Sequence, residues 1–408
     1  MKSVVLYEDE GFADLLPLTF WRSVFELQVG RKLLLDRIAQ RAGMSIAGVW
    51  TRDWIAPVAA QRCGAPANQP LGGPGILANG RWIIEGEVRF PEAPCVGVLP
   101  GGEVAYIVCD SDLASAIGPR DLQDAERRES ALHTIPKRPA AGRLLQHPWE
   151  VIRDLNSLLC ADWDTGQASI DSDVDRRVFS GPSERIHIGE RVTIHPTAVI
   201  DAANGPIFIS DDTSVGAFAV IEGPLYLGPG SRIHPHAWLH GGNAIGPVCR
   251  IGGEVHACAI HGYTNKQHGG FLGHAYVGSW VNLGAGSVNS DLKNTYGTIR
   301  VPINGREVET GMQFFGAIIG DHAKLGINAA VPTGAVVGVG ASIASTRVLP
   351  KFTRSFAWVN DEGVSSGDPL RALDVAAAVM SRRNVEMTDE EVELFLDLGT
   401  RVNEFESR

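Results

Sequence analysis

Cysteine is scarce and unpatterned: six in 408 residues, at positions 63, 95, 109, 160, 249 and 258, with no C-x-x-C pair. That usage excludes a zinc ribbon or a disulfide framework and reads as reduced thiols in a cytoplasmic protein. Long apolar runs are missing; nothing approaches the ~20 residues of a membrane helix, so no membrane partner is expected. A basic excess is missing as well. The formal charge is −11, which argues against nucleic acid as a general partner. Residues 361–408 hold twelve carboxylates against five arginines, so an anionic ligand needs local cations elsewhere. The opening MKSVVLYEDE turns acidic too early for a signal peptide.

What is present is a period of six. Ile209, Val215, Ile221, Leu227, Ile233, Leu239, Ile245 and Ile251 follow one another without a miss. Ile188, Ile194 and Ile200 precede them, and Ile319, Leu325, Val331, Val337 and Ile343 repeat the spacing. Neither a helix nor a plain strand has this period. Hexapeptide units build a β-helix: each makes a short strand and a corner, three close one turn, and the apolar residue points to the axis. Glycine often follows that residue, where a corner needs room or unusual dihedrals. The pattern fades between Ile251 and Val277 and again over 289–318, and such interruptions are where a solenoid carries chemistry.

Four segments are expected. Residues 1–145 alternate strand and helix in α/β fashion: strands at Val4–Tyr7, Ser45–Trp50 and Ala105–Cys109, an amphipathic helix over Phe25–Arg41, and a polar linker over 116–145. A helical arm leads through 146–180, with His147–Trp163 as its helix. The β-helix occupies 181–350. Residues 351–408 form a helical tail, started by Asp368-Pro369 and by a Thr388/Glu391 capping box.

The first interruption holds His256, His261, Asn265, Lys266, His268 and His274. A neutral imidazole there is a candidate general base. The alternative for each is a structural histidine that bonds coil carbonyls. The H-x4-H spacing of His256 and His261 also leaves open zinc shared between subunits, as in γ-class carbonic anhydrases.

The stretch Asn265-Lys266-Gln267-His268-Gly269-Gly270-Phe271-Leu272-Gly273, followed by Trp280-Val281-Asn282-Leu283-Gly284-Ala285-Gly286, resembles the acetyltransferase domain of the bifunctional bacterial N-acetylglucosamine-1-phosphate uridyltransferase/glucosamine-1-phosphate acetyltransferase family. Leu15-Leu16-Pro17-Leu18-Thr19-Phe20-Trp21-Arg22, Glu26–Gly30, His147–Glu150, Asn294–Gly297, Gly320–Lys324 and Leu349–Phe352 resemble a divergent subgroup known as sugar nucleotidyltransferases. The resemblance implies a left-handed β-helix, a homotrimer, and a cytoplasmic role in UDP-N-acetylglucosamine and cell-wall biosynthesis. Acetyl-CoA would acetylate an aminosugar phosphate. His268 would be the base and Asn282, fourteen residues later, would position the thioester or stabilise its oxyanion. Asn265, Lys266, Lys293 and Tyr296 would meet sugar phosphate; Lys324, Arg347 and Lys351 would meet CoA.

The same resemblance implies nucleotidyl transfer from UTP in the first domain. Here the family's Gly-rich phosphate loop is replaced by Glu8-Asp9-Glu10-Gly11-Phe12. Arg22 and Lys32 are the remaining cations for nucleotide phosphates, and Asp110, with Asp112, is the candidate Mg²⁺ ligand. The alternatives are a γ-carbonic-anhydrase-like metal-dependent lyase and a non-catalytic sugar-nucleotide-binding scaffold.

Overall fold

The computed structural model describes residues 3–163 and 165–406. It divides into two compact units. The first takes the chain up to Leu27, Lys32–His147 and Thr388–Asp397; the second takes Gln28–Arg31, Pro148–Met387 and the chain from Leu398 on.

The first unit is built on a six-stranded mixed sheet in the order Ser45–Trp50, Ser3–Tyr7, Gly75–Asn79, Val104–Cys109, Cys95–Val98, Lys137–Pro139. The first three strands are parallel, and Val104–Cys109 runs against both its neighbours. Tyr7, Trp50, Leu77, Val96 and Ile107 pack one core against Leu113, Leu122 and Leu132 of the following helices. Two expectations change. The helix starts only at Leu34 and ends at Ala42, because Val24–Glu26 is a 3-10 turn and Gln28–Val29 and Lys32–Leu33 are extended. Residues 116–145 are not a linker: they form helices Pro119–Leu122 and Ala125–Leu132, a sheet-edge strand at Lys137–Pro139 and a strand at Arg143–Leu144.

The second unit begins with helix Pro148–Ala161, which buries Trp149, Val151, Ile152, Leu155, Leu158 and Leu159. A parallel β-helix of the left-handed hexapeptide kind follows. Its three faces are a ten-stranded sheet from Ser169–Ile170 to Phe352–Thr353, a second of ten from Thr193–Ile194 to Gly363–Ser366, and a third of six from Phe179–Ser180 to Phe271–Gly273, continued by the pair Val288–Asn289 and Ala330–Val331. The hexapeptide residues form one column. Ile209 stacks on Leu227 and Ile245, and Val215 on Ile233 and Ile251, each nearly or wholly buried. Glycine after the column residue answers to space rather than to dihedrals: a Cβ on Gly228 would lie 2.6 Å from the Gly246 carbonyl carbon of the next turn. Left-handed backbone falls instead on later corner residues such as Phe218, His236 and Val248.

The first interruption is not a departure from the coil. Glu254–His256, Ala259–Ile260, Asn265–Lys266 and Phe271–Gly273 continue all three faces, with shortened corners. The second interruption does leave it, and carries an antiparallel hairpin of Arg300–Ile303 and Arg306–Glu309. The solenoid ends in the antiparallel pair Ala357–Asn360 and Gly363–Ser366. Helix Pro369–Ser381 follows, capped by Asp368, and helix Asp389–Glu406 follows the reciprocal Thr388–Glu391 bonds.

Candidate functional site

The candidate site is organised by a residue inside the coil. Lys266 is the register partner of Ile251 and so takes an apolar position of the inner column. It is 2% exposed. Its ammonium donates to the carbonyls of Gly252 (2.8 Å), Gly270 (2.8 Å) and His268 (3.1 Å). Burial pulls its pKa down to about 8. The structure therefore places Lys266 as an internal clamp on the corner 268–270, not on an outer face. Gly270 closes that corner at φ +130°, and a Cβ there would meet Ser287 O at 2.1 Å. His268 stands exposed at its tip, its ring 3.2 Å from the Gln267 amide.

Asn265, Asn282 and Lys324 follow one another at a single register position on the second face. Arg383, two residues beyond helix Pro369–Ser381, donates to Asn265 Oδ1. Lys324 donates to Trp280 O and His322 O, both at 2.8 Å. Burial lowers its pKa to about 7, against which Asp321 acts weakly. It opens onto a cavity of about 490 Å³ lined also by Ser342, Trp358, Arg371 and Val375.

The third face carries a feature hidden in the sequence. His240, His256 and His274 stack on successive turns, with ring centroids 4.9 and 4.8 Å apart. His274 Nδ1 lies 2.8 Å from Asp291 Oδ2; His240 Nε2 lies 3.2 Å from Glu254 Oε1. Burial, then His274 and His240, lower the pKa of His256. A cavity of about 410 Å³ beside Glu222, His240 and His256 gives the ladder access to solutes. A carboxylate-oriented imidazole at a cavity is equipped for proton transfer. The ladder's spacings of sixteen and eighteen become a row only when each turn's length is known. His256 and His261 belong to different faces of the coil. His261 lies beyond a strand of the first face, 4% exposed, where its Nε2 accepts from Gln28 N at 3.3 Å.

The other sequence candidates are dispersed. Lys293 turns back onto Thr298 O, and Tyr296, 67% exposed, crowns the same loop. Arg347 is exposed, and Lys351 pairs with Glu307 of the hairpin at 2.8 Å.

In the first unit, the acids that replace the Gly-rich loop are themselves occupied. Glu8 takes Arg52 Nε at 2.9 Å and Nη2 at 3.0 Å, and Asp9 takes Arg81 through two 2.7 Å bonds. All four side chains are at most 5% exposed. The Arg52 guanidinium is sandwiched between the rings of Phe12 and Trp54. Arg22 is buried and its carbonyl accepts from Arg52; Lys32 reaches Gln40. Asp110 uses one carboxylate oxygen to cap helix Ser111–Ala116 through Leu113 N. Among the described residues no group of three or more His, Cys, Asp or Glu is arranged to hold a metal ion. Asp112 lies in the first turn of the helix that Asp110 caps.

Residues 4–169 match the family model described as sugar nucleotidyl transferase. The bifunctional protein GlmU of Acidithiobacillus ferrooxidans is 34% identical over 180 residues, covering 41% of this chain and 37% of that protein. GlmU of Synechococcus elongatus is 29% identical over 166 residues, covering 40% and 32%. Over these stretches the chain is similar to the GlmU proteins. It spans about a third of the length of these relatives. A solved UDP-N-acetylglucosamine acyltransferase is 14% identical, covering 56% of this chain and 83% of its own, at a TM-score of 0.33. The β-helix is read from this chain's own strand pairing.

Proposed function

We propose that the second unit transfers the acetyl group of acetyl-CoA to the amine of an aminosugar phosphate, and that the first unit binds the nucleotide part of a sugar nucleotide. The kinship with GlmU supports both halves. The observation that carries the first is the His268 corner: an exposed imidazole on a turn pinned from within by Lys266. His268 takes the proton from the attacking amine. Asn282 faces the developing oxyanion, and Lys324, Arg347 and Lys351 supply cations for CoA phosphates. Asn265, Lys293 and Tyr296 lie toward the sugar phosphate. Arg22 and Lys32 serve the nucleotide half.

A second assignment of the base rests on the 2.8 Å contact between His274 and Asp291. There a carboxylate orients the imidazole, whereas the His268 ring meets the neutral Gln267 amide. Thiol release from acetyl-CoA in the presence of glucosamine 1-phosphate separates the two. His268→Ala is expected to lower the rate about 10²–10⁴-fold with an unchanged melting temperature. A normal rate in that variant with a collapsed rate in His274→Ala transfers the role to the ladder. No thiol release by the native chain overturns acetyl transfer to this substrate.

A further inference from the structure

The second face carries a cluster of cations that the proposed acetyl transfer does not use. Arg232 and Arg250 are register partners on neighbouring strands, and Asn265 is the next residue in their row. Arg383 bonds Asn265 from above, which adds a third guanidinium to the row, with Arg382 beside it. His234 follows Arg232 by two residues at the corner, and His268 follows Asn265 by three. The rung between the two histidines is Gly252; a Cβ there would sit 3.3 Å from His234 Cβ and 2.3 Å from Gln267 O. Glycine there is required by the close approach of the neighbouring turn and puts no side chain between the two histidines.

Among the described residues no carboxylate lies within ion-pair distance of Arg232, Arg250, Arg382 or Arg383. Arg250 Nε and His234 Nε2 are shielded from solvent and have no hydrogen-bond partner. Burial and then the neighbouring arginines lower the pKa of both Arg250 and Arg383. His234 is lowered by burial, then by Arg250, His268 and Arg232. In a chain of net charge −11, four arginines gathered without one acid leave a strong local positive potential. An anion relieves that repulsion and satisfies the idle donors.

The geometry selects the anion. Neighbouring rungs are about 4.8 Å apart, and a guanidinium gives paired N–H bonds to phosphate oxygens. Two guanidiniums on adjacent rungs suit two phosphoryl groups joined by one oxygen. We propose that Arg232, Arg250 and Arg383, with His234 and His268 at the rim, form a binding site for a diphosphate group. Both the pyrophosphate of CoA and that of a nucleoside diphosphate have this chemistry. The inference concerns binding and does not depend on acetyl transfer.

Calorimetry on the full chain at low salt, with inorganic pyrophosphate, ADP and CoA, tests it. Pyrophosphate is expected to bind the native protein, and Arg250→Gln and Arg232→Gln are each expected to weaken it at least tenfold. Arg232 is exposed, so its variant decides if Arg250→Gln fails to fold. The same loss with CoA or with ADP identifies the source of the diphosphate. No heat from any of the three, or equal affinity in native protein and Arg232→Gln, overturns the site. Thiol release without diphosphate binding sinks this inference alone; diphosphate binding without thiol release sinks only the acetyl-transfer reading.

Discussion

At the scale of single residues, two lysines are shifted in the same direction for one reason, the cost of burying an ammonium, which they meet with different numbers of partners. Lys266 meets that cost with three carbonyls, two of them on the corner that bears His268. Lys266→Met keeps an unbranched side chain in the inner column but leaves those carbonyls without a donor, at about 1–3 kcal/mol. We expect a folded protein with a lower melting temperature and a rate that falls as far as in His268→Ala. A normal rate would make the clamp irrelevant to the site. Lys324 has two carbonyls only, and its pKa sits at about 7 in the fold against ~10.4 in the unfolded chain. Between those values the unfolded chain binds more protons, so this group makes stability rise with pH across that window; below about 7 both states are charged and its slope vanishes. Native protein should therefore gain on Lys324→Met by on the order of 1 kcal/mol between pH 7 and 9. Parallel stability curves for the two proteins, from denaturant titration at each pH, would contradict it.

At the scale of elements, the inner column was legible because one residue type recurs at one position and nothing else produces a period of six. The same logic hid the coil over 254–273. There a lysine stands in the column and the corners shorten, so Ile251 is followed in its row by Lys266 rather than by an aliphatic residue. The strands of the β-helix are two to four residues long, too short for any local alternation to mark them. Capped helices were plain, since Asp368-Pro369 and Thr388/Glu391 carry their own hydrogen bonds. Phe25–Arg41 was not, because its apolar residues fill the core from extended and 3-10 backbone as readily as from a helix. Of the candidate site, the His268 corner could be read locally. The His240–His256–His274 ladder and the arginine row could not, as both depend on register between turns. Register also makes Gly270 irreplaceable: Gly270→Ala puts a Cβ 2.1 Å from Ser287 O at φ +130°. A loss of roughly 2–4 kcal/mol is expected from the dihedral and the clash together. Denaturant titration that finds less than about 1 kcal/mol would mean that the corner yields.

At the scale of the molecule, each unit has its own core and its own electrostatic solution. The first holds two buried arginine–carboxylate pairs, Arg52 with Glu8 and Arg81 with Asp9, where the family's phosphate loop would lie, so these four charges neutralise one another. The second leaves apolar side chains on its outer faces. Phe218 is 56% exposed, Trp238 46%, Ile327 65% and Val348 70%. These residues lie on several different turns, so contacts with further copies of the chain would cover them along the length of the solenoid. Homo-oligomers mostly close on a rotation axis rather than extend as open chains. The family resemblance read from the sequence implies a homotrimer, and such exposed faces are what it would cover. Sedimentation equilibrium should then give three times the 43.7 kDa chain mass. Replacing Ile327 and Val348 by Asp should shift the protein toward single chains, since a charge buried at such an interface goes unpaired. The intact fold of that double variant, judged by circular dichroism, separates loss of assembly from loss of structure. A native mass of one chain at micromolar concentration would refute the trimer and leave these faces to another partner.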